Sequence, residues 1–161
     1  MINLDLETVD DIQNHLDNKK YIADRALSTS VFLSLKMNKP IFLEGEPGVG
    51  KTEIGKVLAK IMDTKLIRLQ CYEGLDVHNS IYEWNYSRQI LQIRMMEAEG
   101  QSDKEKISDE IFGSKFLIKR PLYQAIDYEG DSPPVLLIDE LDRADEEFEA
   151  FLLEILSDYQ I

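Results

Sequence analysis

The chain has 161 residues, 43% hydrophobic and 30% charged, with 18 Lys and Arg against 31 Asp and Glu for a formal net charge of −13. That length suits one domain with a real core, and so negative a balance repels phosphate backbones and anionic lipid, which argues against nucleic-acid and membrane-surface binding. The single cysteine, Cys71, excludes an intrachain disulfide, and His15 and His78 stand apart from any metal-ligand spacing.

The N-terminus, MINLDLETVDD, is acidic and lacks the apolar segment of a signal peptide. No apolar run reaches the roughly 18 residues that span a bilayer, so a cytoplasmic location is expected. Residues 1–15 read as an arm or short helix. From Leu16 to Met37 the pattern is helical, with Tyr21, Ala26, Leu27, Val31, Leu33 and Leu35 near a 3.6 period, and Pro40 ends it. Ile41, Phe42 and Leu43 form a short apolar run that predicts a buried strand. A glycine-rich turn follows, then a helix through Met62 with Ile54, Val57, Leu58 and Ile61 on one face. Lys65 to Leu69 alternates and predicts a second strand. Cys71, just beyond it, reads as a small core residue.

A helix is predicted over Val77 to Ala98, with Tyr82, Tyr86, Ile90 and Ile93 in one stripe and Trp84, Leu91 and Met95 in another. The charged segment Glu99 to Glu110 breaks the pattern and predicts a mobile loop. Phe116 to Ile118 suggests a short strand, and Pro121 opens a helical turn through Ile126. After the Ser132-Pro133-Pro134 loop, Val135 to Ile138 contains no polar residue and predicts a strand covered on both faces. The last element is a helix from about Ala144. Asp145, Glu146, Glu147 and Glu149 suit the positive end of its dipole, and Phe148, Phe151, Leu152, Ile155 and Tyr159 make its buried face. From Asp139 onward there are nine acids and one base, Arg143, a net of −8 out of −13. Strands alternating with helices indicate an α/β fold with a parallel sheet.

GEPGVGKT, Gly45 to Thr52, matches the phosphate-loop pattern G-x-x-x-x-G-K-[ST]. Gly45, Gly48 and Gly50 permit a backbone wrap that side chains would block. Amides from about Val49 to Glu53 then face phosphate oxygens at a helix N-terminus. In this pattern Lys51 reaches the β- and γ-phosphates and the Thr52 hydroxyl binds Mg²⁺. At average glycine usage the pattern arises by chance in roughly 1% of chains this long, and its place between a predicted strand and a predicted helix lowers that further. The candidate nucleotide contacts are Gly45, Glu46, Pro47, Gly48, Val49, Gly50, Lys51, Thr52 and Glu53. A dinucleotide site is disfavoured, because G-x-G-x-x-G is missing.

VLLIDE supplies what a phosphate loop lacks. The apolar strand carries Asp139 to its C-terminal end, where it would complete the Mg²⁺ shell beside Thr52. Glu140, one residue on, would orient and polarise the attacking water. Lys51 and Glu140 are therefore the candidate catalytic residues, and Thr52 and Asp139 the candidate metal ligands. No N-K-x-D guanine motif is present.

With these motifs and LLIDELDRADEEFEAFLLEILSD, the chain resembles the MoxR-like branch of AAA+ ATPases. LIRLQCYEGLD, YEWNYSRQILQIR and FLIKRPLYQAI resemble the CoxD-type group, associated with maturation of carbon monoxide dehydrogenase. The resemblance covers about residues 16–161 and implies a P-loop NTPase (AAA+) domain, with an inserted helix and loop region at about 77–130. It implies a ring-shaped homo-oligomer that uses ATP and Mg²⁺ to remodel a client protein. It further implies a role in maturing a molybdenum hydroxylase beside a partner with a von Willebrand A domain. The helix with Trp84 and Tyr86 resembles a client-facing insert, though its residues also read as an aromatic core stripe. Arg143 reads either as facing a neighbouring subunit's nucleotide or as a surface arginine with a local carboxylate.

The family's pattern continues with a sensor strand, an arginine finger and a helical lid, so the chain is expected to be the N-terminal portion of such a domain. In the family's sheet the sensor strand lies between the first and third strands. Its loss would leave Ile41–Leu43 and Val135–Asp139 without their shared neighbour, and Thr52 and Asp139 loosely placed. Two alternatives to ATP hydrolysis stay open: a nucleotide-binding or interaction module without turnover, and a phosphotransferase.

Overall fold

The structure, a computed structural model, describes residues 6–100 and 104–158. Helix α1 (Val9–Asn18) opens with a capping box. The Thr8 hydroxyl accepts from the Asp11 amide, and the Asp11 carboxylate accepts from the Thr8 amide at 2.7 Å. The arm expected over 1–15 is thus helical from Val9, and Ile12 and Leu16 are fully buried. The long helix expected from Leu16 is two helices. The Asp24 side chain caps α2 (Arg25–Met37) by accepting from the Leu27 amide at 2.7 Å, and the intervening segment turns through Lys20 at positive φ.

Ile41-Phe42-Leu43 joins no sheet, a departure from expectation. The run carries no regular secondary structure, and Phe42 is 74% exposed. Among the described residues no strand lies beside it, and an unladdered backbone must stay near water to satisfy its polar groups. Helix α3 (Lys51–Ile61) follows. Strand β1 (Leu66–Gln70) pairs in parallel with β4 (Val135–Asp139), placing Arg68 opposite Leu137 and Gln70 opposite Asp139.

The helix expected over 77–98 is interrupted. It resolves into α4 (Val77–Ile81), strand β2 (Tyr82–Trp84) and α5 (Tyr86–Ala98), the last capped by Asn85 accepting from the Arg88 amide at 3.0 Å. Strand β2 pairs antiparallel with β3 (Leu117–Lys119), and Trp84 sits edge-on to Tyr82 and Phe112. Aromatic residues fit a pleated surface better than a helix interior, and the cap residue restarts the helix. Both stripes predicted for this segment fail, because Tyr86, Ile90, Leu91 and Met95 are exposed while Gln89 and Met96 are buried. Part of the expected loop at 99–110 is α6 (Lys104–Ile111); residues 101–103 lie outside the described residues. Helix α7 (Pro121–Ile126) and α8 (Glu146–Asp158) form as expected, although Tyr159 lies outside the described residues.

Alternation along β1 and β4 divides the core. One face carries Val135 and Leu137 toward α3. The other carries Leu69, Leu136 and Ile138 against Leu122 of α7 and Phe148, Leu152 and Ile155 of α8. The strand residues of β4 are half-buried rather than fully enclosed. Cys71 is 1% exposed in the second cluster. Burial pushes its thiol pKa up, and Asp139, Asp142 and Glu140 add to the shift. Cys71 should therefore resist a thiol-reactive dye in the native protein and react fully in denaturant; rapid native labelling would contradict the packing described.

Candidate functional site

The phosphate loop is shaped by positive φ at Gly48 (83°) and Gly50 (92°), a region that would strain side-chain-bearing residues. Gly50 caps α3. Its carbonyl accepts from the Glu53 amide at 3.0 Å and the Ile54 amide at 3.3 Å. The amides of Lys51 and Thr52, in the first turn, have no helical carbonyl before them and suit an anion. The Tyr21 hydroxyl also donates to Gly50 O, at 3.4 Å. Burial, then the Glu53 carboxylate, push the Tyr21 phenol pKa up, so it remains a donor.

Lys51 folds over the loop, its Nζ donating to the carbonyls of Gly45 and Glu46, the latter at 2.8 Å. Thr52 Oγ1 lies 3.2 Å from both Asp139 carboxylate oxygens. Thr52 and Asp139 are therefore not the loosely related pair expected from the sheet argument. Helix packing, rather than a neighbouring strand, aligns them. A Cβ on Gly55 of α3 would stand 3.4 Å from Leu137, two residues before Asp139. The small residue lets α3 lie directly on β4, and Thr52 is one turn back along that helix. Gly55→Ala should be tolerated, raising Tm by up to about 3 °C through helix propensity. Gly55→Leu should lower stability by about 1–3 kcal/mol through overpacking. Thermal melts check both, and equal melting of the two variants would contradict the close helix–strand contact.

Asp139 ends β4, and Glu140 turns the chain in the left-handed region at φ 55°. Arg143 N–H donates to Glu140 O at 3.0 Å, closing a 3₁₀ turn over Leu141–Arg143. The Glu140 carboxylate pairs with Arg143 Nε at 2.8 Å. Arg143 therefore has the local partner that was one of its two readings. A non-glycine residue in this backbone region costs of order 1 kcal/mol or more and is often found where function fixes the geometry.

The AAA domain model of the dynein-related subfamily matches residues 40–161, about three-quarters of the chain. The chain belongs to the AAA domain family, dynein-related subfamily. Members of this family are generally ATPases that bind ATP with Mg²⁺ and commonly assemble as rings. No solved structure matches the chain. Within this AAA domain, the matched stretch contains the phosphate loop, Asp139 and Glu140. Three participants were not singled out from the sequence: Tyr21 on the loop, Gly55 beneath Asp139, and Arg68 on its carboxylate. Only Arg68 carried a signal, as a charged residue inside the strand pattern LIRLQ. No helix of the described residues is long and apolar enough to cross a membrane.

Proposed function

We propose that this AAA domain binds Mg-ATP between the phosphate loop and the end of β4 and hydrolyses its terminal phosphate bond. The observation that carries the reading is the 3.2 Å approach of Thr52 Oγ1 to the Asp139 carboxylate, across 87 residues of sequence. A hydroxyl and a carboxylate are hard oxygen donors, and two such groups plus phosphate oxygens and water suit Mg²⁺. When bound, the ion neutralises charge on the phosphates. In this reading Gly45, Glu46, Pro47, Gly48, Val49, Gly50 and Glu53 build the loop around the nucleotide. Lys51 exchanges its carbonyl partners for phosphate oxygens, and its ammonium offsets their charge. Glu140 accepts hydrogen bonds from the attacking water and orients it, which requires its carboxylate to leave Arg143.

The finer reading is a MoxR-like, CoxD-type ATPase of the cytoplasm, the domain spanning about 16–161. It would work as a ring that remodels a client, in maturation of a molybdenum hydroxylase with a von Willebrand A domain partner. It is supported by the resemblance of LIRLQCYEGLD, on β1 and the segment after it, and of FLIKRPLYQAI, on β3 and α7. The Arg143–Glu140 pair favours a second reading, in which this chain alone binds nucleotide without turnover.

Glu140→Gln separates the two readings. Under the first, it should lower phosphate release at least about 100-fold while Mg-ATP affinity stays within about threefold. No release above background by the unmodified chain, with binding intact, supports the second. Failure to bind Mg-ATP would overturn both.

A further inference from the structure

Arg68 lies on β1 and reaches across the sheet. Its Nη2 donates to Asp139 Oδ2 at 2.7 Å and to Gln70 Oε1 at 2.6 Å. Two features make this more than a surface ion pair. The Asp139 side chain is only 17% exposed, against 48% for Arg68, so the guanidinium meets a carboxylate largely withdrawn from solvent. Gln70 is also in register with Asp139 on the neighbouring strand, so both acceptors lie side by side. Arg68 and Gln70, two apart, share one face of β1.

From this geometry we infer that Arg68 is a positioning residue that stands in for the divalent ion. It holds the Asp139 carboxylate in place while no metal is bound and yields Oδ2 when one arrives. The inference rests on reading Asp139 as a Mg²⁺ ligand. A carboxylate so largely withdrawn, with no counter-ion, would be poorly solvated and free to turn. The guanidinium supplies one charge and directional N–H groups, keeping the carboxylate beside the Thr52 hydroxyl. A divalent cation placed against the same oxygen is repelled by that charge. Arg68 has an alternative ready, because Gln70 Oε1 already accepts from the same nitrogen. The exchange needs only the Asp139 arm of the bridge to open. Arg68 therefore lowers the affinity for the metal and stabilises the metal-free site, while Gln70 limits the first effect by giving Arg68 somewhere to remain.

The test uses the full chain, with Mn²⁺ as the probe and saturating ADP, read by electron paramagnetic resonance of free Mn²⁺. Arg68→Gln removes the competing charge and should tighten Mn²⁺ binding roughly 3- to 10-fold. Arg68→Lys keeps the charge and should bind within about twofold of the unmodified chain. Gln70→Leu removes the alternative acceptor and should weaken Mn²⁺ binding roughly 2- to 3-fold, which keeps the inference testable if Arg68→Gln does not fold. A purely structural role for Arg68 would leave metal affinity unchanged or reduce it. Unchanged or weaker Mn²⁺ binding by Arg68→Gln overturns the inference alone, as does unchanged binding by Gln70→Leu. If the unmodified chain takes up no Mn²⁺ with ADP, the reading of the site falls and the inference falls with it.

Discussion

Replacing Lys51 with alanine should weaken Mg-ATP binding by at least about 100-fold. Lys51 is the ammonium that closes the phosphate loop, donating to Gly45 O and Glu46 O across its base. In the proposed reading the same donors serve phosphate oxygens when nucleotide is bound. Charge-assisted hydrogen bonds contribute about 1.5–3 kcal/mol each, so losing two removes at least two decades of affinity. The surroundings sharpen the effect. Glu46, Glu53 and Asp139 all lie at or next to the loop in sequence or in space, and the chain as a whole carries −13. Without Lys51, a polyphosphate meets a field of its own sign. The check is titration of a fluorescent ATP analogue with Mg²⁺. The variant should keep its melting temperature within a few degrees, because the Lys51 side chain fills no core position. A dissociation constant within threefold of the unmodified chain would sink the reading of this loop as a phosphate cradle.

The second large effect is on stability. Phe148→Ala should destabilise the protein by about 3–5 kcal/mol, the usual range for deleting a fully buried aromatic ring. Phe148 has no exposed surface and packs in the cluster of Leu69, Cys71, Leu75, Leu122, Leu152 and Ile155. Its ring lies 6.4 Å from that of Phe151, tilted by 53°. Its amide donates to the Asp145 carboxylate at 2.9 Å, so the helix cap and the core contact meet in one residue. Against a net stability of about 5–15 kcal/mol, this loss removes between about a fifth and all of the margin that keeps the protein folded. Urea unfolding should show a lowered midpoint with an unchanged slope. A loss below about 1 kcal/mol would mean that α8 is not fixed to the back of the sheet as described. The two variants also differ in kind: Lys51→Ala spares the fold, whereas Phe148→Ala removes the support behind the strand that carries Asp139.

Legibility followed the range of the signal. The phosphate loop was readable because its glycines, lysine and threonine act within eight neighbouring residues. The buried face of α8 was readable at Phe148, Leu152 and Ile155, because a long 3.6-residue period leaves little choice. The segment from Val77 to Ala98 was misread because three residues, Tyr82 to Trp84, pair with a strand 35 positions further on (82 to 117). A helical average over 22 residues hides so short a break. Ile41–Leu43 was misread for a related reason. An apolar run states a preference for burial, but a strand needs a partner.

By itself the sequence determined the local parts: a turn at Gly45–Thr52 that matches the phosphate-loop pattern, an acid pair at Asp139 and Glu140, and alternating elements of an α/β fold. These depend on residue type and local spacing. The tertiary structure decided which parts meet. Gly55 against Leu137 brings Thr52 to the Asp139 carboxylate. The parallel register of β1 with β4 brings Arg68 and Gln70 there too. Arg143 takes the Glu140 carboxylate. Such contacts depend on close packing between residues far apart in the chain, where one methyl group or one register step changes the outcome.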